Sequence, residues 1–323
     1  MSTQVTALPT PTDAQARSDQ FADGLFRVLV ALAALLVVVA LAGAALTMLY
    51  GGRQALGTFG WSFVTSDVWD PGNLVFGARA AIFGTLVTSL IALLLAVPIS
   101  FGIALFLTEV APAWLRTPLA MTIELLAGIP SIIYGMWGLF VLVPMLGENV
   151  YPWINDHLGA LPLIGPWFQG PPIGLGLLTA GIVLAVMIIP FISSVMREVF
   201  LTVPTRLKES AYALGSTTWE VAWDIVLPYT RSAVIGGIFL GLGRAMGETM
   251  AVTFVLGNTN AIGSLLEPST SIASTIASEF GEASADMHRS ALLALGFLLF
   301  VVTFVVLAIA KLMLLSLKRR EGR

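Results

Sequence analysis

The stretch REVFLTVPTRLKESAYALGSTTWEVAWDIVLPYT, residues 197–230, separates two apolar runs, and its reading decides the fold. A passive connection needs only a few residues, and this one carries the marks of two short helices. Pro204 suits a first helical turn. Leu207, Ala211 and Leu214 recur at i, i+4 and i+7, which places apolar groups on one face. Gly215 then supplies a left-handed stop. A helix over 204–214 is about 16 Å long at ~1.5 Å per residue. Thr217-Thr218-Trp219-Glu220 has the spacing of a capping box and opens a second helix, which Pro228 is expected to end. A short helix with an apolar face, held between two spans, fits a partner's groove. It fits equally an amphipathic helix resting on lipid.

The surroundings of this loop are set by composition. Of 323 residues, 57% are hydrophobic and 11% charged, against roughly 25% charged in a soluble domain. The chain therefore reads as an all-α integral membrane protein. Six apolar runs, 26–50, 80–107, 118–146, 173–196, 233–256 and 291–315, each reach the ~20 residues that cross ~30 Å of hydrocarbon. Six transmembrane helices follow, and the first is too long for a signal-peptide core. With both termini cytoplasmic, twelve Lys and Arg lie inside, three (Arg53, Arg79, Arg289) outside and one, Arg244, within a span. That asymmetry fixes the topology. Residues 1–24 form a polar, disordered tail, 25–50 the first span, and 317–323 a short basic tail.

Several chemistries are excluded at once. The chain has no cysteine, which removes disulfides, thiolate metal sites and thiol catalysis. None of its lysines, Lys208, Lys311 and Lys318, follows a glycine, so there is no phosphate-binding loop. If ATP drives this protein, another polypeptide binds it. No aspartate falls inside the apolar runs, and His157 and His288 belong to outer loops, so an intramembrane protease or metal enzyme is not expected. Neither a cofactor nor a nucleic-acid partner is implied; membrane lipid is.

The loop residues also carry a resemblance. Glu209-Ser210-Ala211, three residues, Gly215, nine residues, then Ile225-x-Leu227-Pro228 resembles the EAA loop of bacterial ABC importer permeases, with Ser210 where that family usually has Ala. The resemblance implies a type I (MetI-like) permease core over 75–316, with 204–214 as a coupling helix that docks into an ATPase subunit. Pro204, Leu207, Glu209, Ser210, Ala211, Leu214 and Gly215 would form the docking element, Glu209 and Gly215 being its most sensitive positions. Two further stretches, IELLAGIPSIIYGMWGLFVL (123–142) and GRAMGETMAVTFVLGN (243–258), resemble the PstC-type permeases of bacterial phosphate importers. That likeness implies phosphate as substrate. The partners would be a PstA-type second permease, a PstB-type ATPase dimer and a PstS-type phosphate-binding protein.

The second of those stretches holds Arg244 and Glu248, four residues apart in the fifth run. A mid-bilayer arginine costs at least ~2.5–3.5 kcal/mol on insertion scales, so something must offset it. One expectation is an Arg244–Glu248 pair, one turn apart, that fixes helix packing. The other is that Arg244 meets a passing anion while Glu248 tempers its grip, because a guanidinium donates paired hydrogen bonds to phosphate and stays charged when buried. Gly237–Gly241 and Gly243–Gly247 are small-xxx-small pairs that admit another helix. Glu124 is expected on a face shared with Ala127, Gly128, Ser131 and Gly135, either snorkelling to the interface or lining the path, with a kink at Pro130. An importer of molybdate or sulfate, or a secondary anion transporter, stands as the alternative reading. The outer loop 147–172, with Trp153 and Trp167, reads as an interfacial aromatic belt or a docking surface, and 271–280 as a short surface helix.

Overall fold

In hydrocarbon a backbone N–H or C=O has no solvent partner, so each span must satisfy its own hydrogen bonds as a helix. The computed structural model describes residues 13–321, with side chains over 23–315, and it is helical almost throughout. Six helices are long and apolar enough to cross a membrane: Asp23–Phe59, Arg79–Val110, Ser131–His157, Leu177–Leu201, Thr218–Met246 and Asp286–Leu315. The chain divides after Tyr50, inside the first helix, into two compact units.

The first unit is the helix α1, whose full range is Asp13–Phe59. Phe26, Leu36, Val39 and Leu46 are all at least 60% exposed, and a helix apolar on every side belongs in lipid. Helix from Asp13 onward contradicts the expected disorder over 13–24; residues 1–12 lie outside the described residues. The helix also runs nine residues past the expected end at 50.

The second unit begins with the last turns of α1, where the Ala55 amide donates to the Ser290 hydroxyl at 3.1 Å. A small hairpin follows, β1 (Trp69–Asp70) antiparallel to β2 (Val75–Phe76) with Trp69 opposite Phe76. Apart from the single turns Ser62–Thr65 and Gly165–Phe168, the helices are α2 (Arg79–Val110), α3 (Ala113–Ala127), α4 (Ser131–His157), α5 (Leu177–Leu201), α6 (Thr205–Ala213), α7 (Thr218–Met246), α8 (Met250–Leu256), α9 (Ile272–Glu279) and α10 (Asp286–Glu321). The centre is the α2–α5 pair. Ala80, Gly84, Thr88, Ala92, Ala96, Ser100 and Ala104 recur every fourth residue along α2, and all are buried. Small residues at that spacing let two helices approach closely. Leu177, Leu184, Ile188 and Ile192 of α5 are fully buried in the same core. The Ser100 hydroxyl crosses to the Ile189 carbonyl at 3.1 Å.

Helix α7 packs on α5 through two of the expected glycines. A Cβ on Gly237 would sit 2.8 Å from Val195, and one on Gly241 2.6 Å from Ile192. Gly241→Leu should therefore cost about 1–3 kcal/mol by overpacking, read as a lower Tm of the purified permease in detergent. The second pair packs more loosely: a Cβ on Gly243 would stand in ordinary contact with Leu307 of α10, at 3.8 Å, and one on Gly247 would meet only the Gly243 carbonyl, at 3.6 Å.

Two boundaries and the burial of one helix also differ from expectation. Pro228 does not end a helix. The capping box of Thr217 and Glu220 forms as expected, but the helix then runs unbroken into the fifth span, through a wide π-type turn over Val221–Val226. Such a turn drops the regular i→i−4 bond where the proline has no N–H to give. The helix α4 extends to His157, and the helical extensions bring Asp23, Asp156, His157, Asp224, Asp286 and His288 to the ends of spans. Helix α9 is no surface helix: Ile272, Ala273, Ser274 and Thr275 are buried, and the Ile272 amide donates to the Thr85 hydroxyl at 3.0 Å.

Candidate functional site

Two of the apolar runs, 118–146 and 233–256, are broken, and the breaks lie together. Helix α3 stops at Ala127 and α4 starts at Ser131, leaving Gly128, Ile129 and Pro130 outside any helix. Pro130 has no N–H and disfavours helical backbone at Ile129, so the chain breaks rather than kinks. The freed end of α3 is satisfied across the gap, where the Tyr134 hydroxyl donates to the Leu126 carbonyl at 2.9 Å. The second break is Gly247-Glu248-Thr249, between α7 and α8. Gly135 of α4 lies against α8, where a Cβ would come 2.9 Å from the Ala251 Cα. Gly138 sits between Val183 of α5 and Val255 of α8. With those pairings α4 and α8 run alongside each other and start within about one turn.

Arg244 stands at the end of α7, beside these breaks. The expected Arg244–Glu248 pair is not there: no described carboxylate lies within 4.0 Å of the guanidinium. The reason is Gly247. It ends α7, so Glu248 is not one turn further along the same helix. Glu248 instead accepts from the Ala251 amide at 3.2 Å, a carboxylate at the start of α8 where the helix dipole favours negative charge. Arg244 is exposed in the single chain. Its guanidinium lies 5.9 Å from the centre of the Phe191 ring on α5, a cation–π contact worth ~0.5–1 kcal/mol at an exposed site. The site thus joins α5 and α7 at a guanidinium with no described carboxylate within 4.0 Å.

Glu124 is not part of that cluster. It lies on α3, with its side chain 58% exposed and 3.8 Å from Arg197 of α5, which also meets Glu198 at 2.7 Å. Phe191 and Arg197 are six residues apart on α5, about 9 Å along the axis. The shared face expected for Glu124, Ala127, Gly128, Ser131 and Gly135 does not exist, because the break divides it. Gly128 lies exposed in the gap and packs on no helix.

The loop helix α6 is shorter than expected, starting after Pro204 and ending before Leu214; Gly215 takes the left-handed stop with φ +92°. Its apolar residues divide between the core and the outside. Only Ala211 turns into the core, at 9% exposure, while Leu207 is 44% and Leu214 89% exposed. Glu209 and Ser210 are exposed beside them. The other inward residue is Lys208, whose ammonium donates to Glu109 in the wide last turn of α2. Nothing in the sequence marked this pair, because its members are 99 residues apart.

Six spans, two apolar runs interrupted beside an arginine with no described carboxylate partner, and a helical loop between the fourth and fifth spans are the features of a membrane permease. The chain belongs to the family of binding-protein-dependent transport system inner membrane components, whose model matches residues 97–319. It is accordingly a multi-pass protein of the cytoplasmic membrane, not an enzyme. It is 66% identical over 305 residues to the phosphate transport system permease protein PstC of Xylella fastidiosa, covering 94% of both chains. It is 53% identical to the PstC of Mesorhizobium japonicum over 98% of this chain and 97% of that one. A probable PstC of Methanocaldococcus jannaschii is 37% identical over 80% of this chain and 82% of that one. Among solved structures, a bacterial alginate ABC transporter bound to its periplasmic protein shares the fold, with TM-score 0.60 and 20% identity over 92% of this chain and 96% of that one. The fold is that of type I ABC importer permeases.

Proposed function

We propose that this chain is the permease subunit of an ATP-driven importer of inorganic phosphate, forming the path with a PstA-type second permease. The observation that carries this reading is the full-length likeness to phosphate permeases, at 66% identity over 94% of both chains. Both termini are cytoplasmic on this reading, which puts α6 inside, against a PstB-type ATPase dimer, and leaves the opposite face to a PstS-type binding protein. The unpaired guanidinium of Arg244 suits an anion in transit. Its planar fork gives phosphate two parallel hydrogen bonds, and with no described carboxylate within 4.0 Å of it, the full charge is available. Glu248, capping α8 on the far side of the break, sets a negative limit to the site, and moderate affinity is what conduction needs. Glu124, paired loosely with Arg197, lies nearer the cytoplasmic end than Arg244. The docking element is the exposed rim of α6: Leu207, Glu209, Ser210 and Leu214, positioned by Pro204, Ala211 and Gly215.

The test is ATP-dependent uptake into vesicles rebuilt from the four components, with and without the ATPase. Phosphate should accumulate only in the complete system, and excess sulfate or molybdate should leave the rate unchanged. Uptake without the ATPase would make the chain a secondary transporter, and competition by the other oxyanions would move the substrate assignment to them.

A further inference from the structure

We propose that Glu109 and Lys208 are positioning residues whose ion pair transmits movement of α6 to the transmembrane core, an inference that rests on the reading of α6 as the ATPase-docking helix. Their side chains are only 6% and 14% exposed, and among the described residues Lys208 has no other carboxylate partner. An ion pair shielded this far from solvent is screened little by salt, and removing either member leaves an uncompensated charge. It is therefore not an incidental surface contact.

What makes it a transmitting contact is its place. The helix α6 presents Leu207, Glu209, Ser210 and Leu214 outward and turns Lys208 and Ala211 inward. The Ala211 methyl makes non-directional packing that allows sliding. The Lys208–Glu109 pair is directional, so it resists both pushing and pulling. Glu109 sits in the π-type last turn of α2, Phe106–Val110, where Thr108 ties the turn to the Ala104 carbonyl at 3.0 Å. From there α2 is a stiff lever, since Ala92, Ala96 and Ala104 are buried in the core it shares with α5 and Ser100 is bonded to the Ile189 carbonyl. Two residues beyond Ile189 is Phe191, the ring under the Arg244 guanidinium. Besides the backbone of residues 202–204 that joins it to α5, a displacement of α6 thus has a directional side-chain link into the element pair that flanks the anion site.

The experiment uses the complete importer in vesicles and reads two rates, ATP hydrolysed and phosphate taken up. Glu109→Gln and Lys208→Met should each keep basal hydrolysis, while phosphate moved per ATP falls about tenfold, within the usual range of coupling between sites. The exchanged pair, Glu109→Lys with Lys208→Glu, should recover most of the ratio, because it restores the link with the charges reversed. The chain has no cysteine, so Glu109→Cys with Lys208→Cys gives a unique thiol pair. A short thiol-reactive cross-linker there should raise the ratio above that of the unlinked form. Single variants with the wild-type ratio would overturn the proposal. So would exchanged or cross-linked proteins that stay uncoupled or fail to assemble. A wild-type complex that takes up no phosphate would instead overturn the functional reading beneath it, so the two failures are told apart.

Discussion

Arg244→Gln should lower phosphate uptake by about two orders of magnitude while leaving the permease folded and assembled. Hydrogen bonds to charged groups are each worth about 1.5–3 kcal/mol, and a guanidinium meeting phosphate through its fork makes two. Losing both removes about 3 kcal/mol or more, and every 1.4 kcal/mol is a factor of ten. Folding should be spared because Arg244 is exposed in the single chain and makes no ion pair with a described carboxylate; its contact with Phe191 is the interaction given up. Arg244→Lys separates charge from shape. It keeps the positive charge but loses the planar fork, and should fall between wild type and Gln. The measurement is uptake in vesicles, normalised to assembled complex. A Gln variant transporting at the wild-type rate would show that the guanidinium only packs against Phe191.

The absence of the Arg244–Glu248 pair matters to this expectation. A bonded pair would make Arg244→Gln a folding defect, since it strands a carboxylate. Instead Glu248 is already satisfied by the Ala251 amide, so the arginine can be changed without orphaning its neighbour.

How far the sequence could be read follows the range of the interactions. Local signals were legible. The capping box of Thr217 and Glu220, the left-handed Gly215 and the six apolar runs each depend on a few neighbouring residues, and all are present. Helix continuity was less so. Pro228 looked like a stop because the proline rule assumes regular i→i−4 bonding, and the π-type turn at Val221–Val226 sets that aside. Conversely, a four-residue spacing joined Arg244 to Glu248 only while the helix was assumed to continue through Gly247. The small stripe from Ala80 to Ala104 lies openly in the sequence, but its meaning depends on α5 as the partner. Lys208–Glu109 was beyond reach: Lys208 looked like one more cytoplasmic charge, and only the fold turns it inward.

That inward turn of Lys208 and Ala211 leaves Leu214 as the most exposed apolar residue of the loop, at 89%, and Leu214→Asp should disconnect the permease from its ATPase. The side chain sits at the C-terminal end of α6, immediately before Gly215 sends the chain away with φ +92°, so it forms a projecting tip. Fully burying a leucine in a partner's cleft is worth about 1.5–3 kcal/mol, and anchors of this kind dominate interface energetics. Aspartate forfeits that gain and adds the cost of desolvating a charge with no matched partner. Together these should weaken ATPase binding about 100-fold or more, read as loss of co-purifying ATPase and of uptake. The permease alone should be unaffected, because exposed substitutions usually change stability by no more than ~0.5 kcal/mol. Ala211→Asp is the contrast. It forces a charge into the core beneath α6, so the permease itself should be destabilised along with ATPase binding. If Leu214→Asp kept a full complement of ATPase while Ala211→Asp lost it, the loop would act through its buried side alone, and the exposed rim would not be the docking surface.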